Sequence, residues 1–131
     1  MEPRISFSVI VPTYNRANLI AKTLATLQLQ AYNNYEIIVV DDGSTDNTEE
    51  VVNNMTNVRT KYYKKTNAER AVARNYGAKI ATSEYVNFFD SDDLALSNHL
   101  SEAAKMVKDH NRPEWFHLGY EWASPDGKVF K

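Results

Sequence analysis

Apolar residues fall in short, nearly continuous runs that alternate with stretches of helical spacing. Ile5–Val11 (ISFSVIV) is rich in β-formers and almost wholly apolar at its end, the pattern of a strand covered on both faces. Pro12 is expected to stop it, because proline cannot extend a hydrogen-bonded ladder. Thr13–Arg16 then reads as a loop. Ile20, Leu24 and Leu27 recur at helical spacing and predict a helix over 17–30, with Asn15 or Asn18 as its cap. Tyr35–Val40 (YEIIVV) reads as a second buried strand. Thr45–Thr48 supplies caps for a short helix from Glu49 to Met55, whose early acids suit the helix dipole. Val58–Tyr63 is a weaker strand. A helix over 69–81 carries Val72, Tyr76 and Ile80 on one face, with Arg70 and Arg74 on the other. Tyr85–Phe89 reads as the central strand. Leu96, Leu100, Ala103 and Val107 predict a helix over 97–110. Phe116, Leu118, Tyr120 and Trp122 alternate as a half-exposed strand, Ser124–Gly127 is a turn, and Val129 and Phe130 begin a returning strand.

This order of strands and helices implies an α/β domain with an open, mostly parallel, Rossmann-like sheet flanked by helices. Ligands bind beyond the C-terminal strand ends of such sheets. Three polar segments are therefore expected to meet there: Pro12–Arg16, Asp41–Ser44 and Asp90–Asp93. The last closes the run YVNFFDSDD. Carboxylates at Asp90, Asp92 and Asp93 repel one another, and hard divalent ions such as Mg2+ or Mn2+ take carboxylate oxygens while sharing their shell with phosphates. The two readings open for this run are a metal–diphosphate site and an acidic loop capping the next helix.

Composition narrows the class. A chain of 131 residues holds one domain with a real core. A net charge of −2 argues against a nucleic-acid partner. With no cysteine there is no disulfide or thiolate chemistry, and a cytoplasmic location is the expectation. Phe7–Pro12, the most apolar early run, is too short to span a membrane. Six acids and no base lie between Glu36 and Glu50, whereas seven bases and one acid lie between Arg59 and Lys79. Such blocks can flank an anionic ligand, with a metal on one side and cations on the other. The turn after the first strand lacks G-x-G-x-x-G, and no P-loop or G-x-S-x-G elbow occurs. His99, His110 and His117 show no metal-ligand pairing and read as surface or structural residues.

FSVIVPTYNR, EIIVVDDGSTDNT and ARNYGAKIATSEYVNFFDSDD, in this order and spacing, resemble the N-terminal half of glycosyltransferase family 2, with its GT-A fold. The resemblance covers about Ser6 to His110. It implies a single, partial domain over 1–131, with a nucleotide-sugar-binding half at 1–110 and the start of the acceptor-side segment at 111–131. It also implies inverting transfer from a nucleotide sugar, most often a UDP-sugar, to an acceptor hydroxyl on a saccharide or lipid-linked acceptor. Mn2+ or Mg2+ would assist departure of the nucleotide. Carried over by position, Pro12, Thr13 and Tyr14 line the nucleoside pocket, and Asp42 accepts a hydrogen bond from the base with Asp41 beside it. Arg74 lies near the nucleotide. Asp90, followed by Ser91, holds the ribose or sugar region. Asp92 ligates the metal, and Asp93 supports it.

Two departures from the family pattern stand out. Family members often carry glycines before the ARN element, where this chain has Ala68, Glu69 and Arg70, whose side chains narrow the approach to the diphosphate. The family's catalytic base comes from a segment well beyond the DxD. Glu114, Glu121 and Asp126 are the only acids after Asp109, and nothing marks them as catalytic, so the base is expected beyond Lys131. The chain is therefore expected to be a truncated, donor-binding piece that is peripheral to a membrane in its full-length form. A nucleotide-binding module without turnover and a sugar-phosphate nucleotidyltransferase are the alternatives. Unpaired aromatics over Phe116–Trp122 and Val129–Phe130 lead to an expected homodimer through that region.

Overall fold

A computed structural model describes residues 4–115 (for Arg70 the backbone only) and the backbone of 122–123 and 129–130. Its elements run β1 (Phe7–Thr13), α1 (Ala17–Gln28), β2 (Tyr35–Asp41), α2 (Thr48–Asn53), β3 (Thr60–Lys64), α3 (Arg70–Ile80), β4 (Tyr85–Phe88), α4 (His99–Asp109), β5 (Trp122–Ala123) and β6 (Val129–Phe130). The first four strands form a parallel sheet in the order β3-β2-β1-β4, and β5 pairs with β6 antiparallel. The latter pairing agrees with the expected returning strand. The alternating aromatics Phe116 to Tyr120 and the Ser124–Gly127 turn lie outside the described residues, as do the side chains on which the expected dimer rests.

Strand alternation sends side chains to two different layers. Phe7, Val9, Val11, Ile37 and Val39 face a layer made by Ile20, Leu24 and Leu27 of α1, Val52 of α2, and Leu100 and Ala103 of α4. Ile10, Ile38 and Val40 face Ala73 of α3 on the other side. Ile20, Leu24 and Leu27 are fully buried. Each such side chain is worth about 1.5–3 kcal/mol, so this one stripe anchors α1.

Several expectations are corrected. Pro12 does not stop β1; it sits within the strand, opposite Val40. Odd-numbered residues of β1 bond to β2, as Thr13 does when its carbonyl accepts from the Asp42 amide at 2.9 Å. Even-numbered residues face β4, which pairs with β1 only as far as Ile10 and Phe88. The missing N–H of Pro12 therefore points where no ladder continues, and proline costs nothing there.

β4 is not central. Among the described residues it is an edge strand, with Val86 38% and Phe88 46% exposed. On α3 the face against the sheet is Ala73 and Gly77, with Ile80 packed beside them as expected; Val72 and Tyr76 are instead exposed. Contact is so close that only small residues fit: a Cβ on Gly77 would lie 2.4 Å from Ile10 Cγ2. Leu96 is not part of α4's buried stripe either; it precedes the helix and is exposed.

Neither Asn15 nor Asn18 caps α1. Arg16 occupies the cap position without a side-chain bond. The first amides of the helix turn instead to the β2–α2 loop, Arg16 to Thr48 Oγ1 and Ala17 to Asp46 Oδ2. Asn15, in a left-handed conformation at φ 51°, accepts at Oδ1 from the Thr45 and Asp46 amides. The loops after β1 and β2 are thereby tied together.

Candidate active site

The strand order contains its own reason for a cleft. The chain steps outward from β1 to β2 to β3 and then returns to place β4 on the other side of β1. β1 runs beside β2 as far as Thr13 but pairs with β4 only as far as Ile10 and Phe88, which leaves a crevice between β1 and β4 at the C-terminal ends. A cleft of about 230 Å³ lies there, lined by Pro12, Thr13 and Tyr14, Arg16, Asp42, Ala73 and Ser91. The three polar segments expected to converge all contribute to it.

The cleft holds contrasting side chains. Tyr14 is 44% exposed and presents its ring to the opening. Thr13 is buried, and its hydroxyl has no hydrogen-bond partner among the described residues. Asp42 is also buried. Its Oδ1 accepts from Lys65 Nζ at 2.6 Å and from the Ala68 amide at 2.9 Å.

Asp41 has a different place from the one expected of it. It is fully buried, with Oδ1 accepting from the Ser44 amide at 2.9 Å and Oδ2 from the Tyr62 hydroxyl. It does not line the cleft; it shapes the turn that presents Asp42. Burial, and next the bond to Asp41 and its charge, push the Tyr62 phenol far up, so the hydroxyl stays a donor.

The acidic turn lies beside Ser91. Ligand oxygens of Asp90, Asp92 and Asp93 lie within 4.8 Å of one another. Arg74 Nη2 stands 3.5 Å from Asp90 Oδ1, with its guanidinium over the Phe88 ring at 5.9 Å. Both partners of that pair are well exposed, so it orients the side chains more than it stabilises the fold. The Asp93 carboxyl is pushed above the ordinary carboxylate range, first by desolvation and next by the charges of Asp90 and Asp92. In this window the unfolded chain releases its proton before the folded one does, so this group's contribution to stability falls as pH rises through it. Asp93→Asn is therefore expected to raise the thermal midpoint of the metal-free chain at neutral pH. The gain should shrink as pH falls into the carboxylate range, which denaturation scans across pH would read.

Sequence reasoning missed the supports of this turn. Thr23 Oγ1 of α1 donates to the Ser91 carbonyl at 2.9 Å. Gln30 donates to the Leu96 carbonyl at 2.8 Å and accepts from the Leu100 amide at 3.0 Å. A buried polar residue within an apolar helical stripe was the available signal for Thr23. Lys65 was also missed, and only its place in the basic block pointed to it. The histidines are as expected where they are described. His99 pairs with Asn87 at 2.8 Å and packs on Phe89, and burial lowers its pKa; His110 is exposed.

A parallel α/β sheet with a polar cleft beyond the C-terminal ends of its strands defines the class of open-sheet α/β proteins that bind ligands at that edge. The chain belongs to glycosyl transferase family 2, whose profile matches residues 8–113. It is 42% identical over 98 residues to the Campylobacter jejuni GalNAc(5)-diNAcBac-PP-undecaprenol beta-1,3-glucosyltransferase, covering 72% of this chain and 32% of that one. Among solved structures it superposes on Staphylococcus aureus TarS 1-349 in complex with UDP-GlcNAc. The TM-score is 0.75 and the identity 37%, over 82% of this chain and 32% of that one. The mannosyltransferase PcManGT from Pyrobaculum calidifontis, in complex with GDP-Man and Mn2+, matches at TM-score 0.75 and 34% identity, over 80% and 33% of the two chains. These neighbours are GT-A transferases, so the expected fold holds. The chain spans between 15% and 50% of the length of the curated relatives it matches.

Proposed function

We propose that this chain forms the donor-binding portion of an inverting glycosyltransferase that takes a UDP-sugar and serves a saccharide or lipid-linked acceptor. The observation that carries the proposal is the convergence of Tyr14, Asp42 and Ser91 of the acidic turn on the cleft where β1 and β4 part. TarS with UDP-GlcNAc supports the donor class, and the undecaprenol-linked acceptor in the name of the Campylobacter relative supports the acceptor class. Family membership favours sugar transfer over nucleotidyl transfer. A cytoplasmic setting belongs to the same proposal and is motivated by the absence of cysteine. Among the described residues no helix is long and apolar enough to cross a membrane.

The acidic turn fits a hard divalent cation: its donors are all carboxylate oxygens, close together, and held apart in charge only by Arg74 among the described ion pairs. Asp92 would hold Mn2+ or Mg2+, with Asp90 and Asp93 at its side. When bound, the ion supplies Lewis-acid stabilisation of the charge that develops on the departing nucleoside diphosphate. The chain's own residues bind and orient. Tyr14 offers a ring face to the base, Asp42 accepts a hydrogen bond from it, and the Thr13 hydroxyl, without a partner among the described residues, meets the nucleoside. Arg74 adds positive charge beside the diphosphate, and Asp90 takes ribose or sugar hydroxyls.

Calorimetric titration of UDP with and without Mn2+ tests this reading. Saturable binding that needs the metal is the expected result. Absence of binding in both conditions would reduce the family relation to one of fold.

A further inference from the structure

We infer that Lys65 is the positioning residue that turns Asp42 into a fixed acceptor for the imide N–H of a uracil-type base, and so sets the nucleobase preference of the cleft. This rests on the donor-site reading above. Asp42 is gripped from one short segment after β3. Lys65 Nζ lies 2.6 Å from its Oδ1, the Ala68 amide donates to the same oxygen at 2.9 Å, and Asn67 Nδ2 donates to the Asp42 carbonyl at 2.9 Å. Lys65 is itself pinned, donating also to the Thr66 carbonyl at 2.6 Å.

The grip needs Gly43. At φ +79° it turns the chain beneath this segment, and a Cβ there would lie 2.8 Å from the Asn67 amide nitrogen. Ala68 thus contributes through its backbone at the place where family members often carry glycine. Asp42 Oδ1 is saturated by these contacts. Its Oδ2 has no donor among the described residues, and Asp42 lines the cleft beside Thr13 and Tyr14.

The chemistry of selection follows from which atoms carry hydrogen. Uracil presents N3–H, whereas cytosine presents a lone pair at N3. An ionised carboxylate can only accept, so it bonds the first and repels the second. The Lys65 ammonium and the Ala68 amide hold the carboxylate in one orientation. Without Lys65 the carboxyl can rotate, and its free oxygen no longer stands fixed where the base N–H must meet it. Loss of Lys65 should therefore blunt the choice of base as well as weaken binding. A merely structural lysine would not change the choice.

The test titrates UDP and CDP, each with Mn2+, into the parent chain, Lys65→Met and Lys65→Arg, with thermal unfolding of each variant in parallel. The parent should prefer UDP. Lys65→Met should weaken UDP by about tenfold or more and CDP much less, so that the preference collapses. Lys65→Arg, which keeps the charge, should retain it. Where the Met variant is unfolded, Lys65→Gln replaces it and is expected to shift the ratio the same way. A folded Met or Gln variant with the parent's UDP-to-CDP ratio overturns the role of Lys65 alone. A parent that binds no UDP with Mn2+ overturns the donor site and this inference together.

Discussion

Asp92→Ala is expected to weaken metal-dependent UDP binding by at least about a hundredfold, because even changes outside a metal's direct ligands cost 10–100-fold in affinity. The side chain is exposed and lies beside the Asp90 and Asp93 carboxylates. Its removal leaves the core untouched and relieves like-charge repulsion, so the thermal midpoint should hold or rise slightly. That pairing of outcomes separates a ligand role from a structural one. Arg74→Ala offers a useful contrast, since its pair with Asp90 is solvent-screened and its loss should cost little stability. Unchanged calorimetric binding of UDP with Mn2+ by Asp92→Ala would refute the metal assignment.

Gly77→Ala should be destabilising, against the ordinary direction for a helix interior. Alanine gains about 0.8–1.0 kcal/mol over glycine in helix propensity. Here the new Cβ would sit 2.4 Å from Ile10 Cγ2 and 3.3 Å from Val40 Cγ2. Overpacking of this kind costs about 1–3 kcal/mol, and it acts on a domain whose total stability is of order 5–15 kcal/mol. The clash wins, and α3 must move off the sheet. Because α3 carries both Ala73, which lines the cleft, and Arg74, nucleotide binding should weaken along with stability. Urea unfolding would show a lower midpoint at unchanged slope. A midpoint equal to the parent's would mean that Ile10 can rotate away freely.

The strands of the sheet were legible because parallel strands covered on both faces leave nearly continuous apolar runs, as ISFSVIV and YEIIVV do. Edge position was not legible in YVNFF. The same residues serve at the centre or the margin of a sheet, and only pairing to β1 on one side decides the matter. Val72 and Tyr76 of α3 face away from the sheet for a related reason, while Ile80 packs on it as expected. Periodicity selects large apolar residues, yet close helix–sheet contact selects small ones, here Ala73 and Gly77. Pro12 was misread because the cost of a missing donor depends on which neighbour that donor would have faced.

By itself, the sequence determined the order of elements, the three polar segments that end strands, the carboxylates of the acidic turn and membership in a family. Each of these is written in contiguous residues, where spacing carries the information. Tertiary structure alone decided that Asp41 is an internal anchor while Asp42 faces the cleft, that Thr23 holds Ser91 across 68 residues, and that Lys65 grips Asp42 across 23. The physical reason is that a hydrogen bond is set by distance in space. A lysine or threonine gains its role only when the packing of β1 between β2 and β4 brings it within reach of its partner.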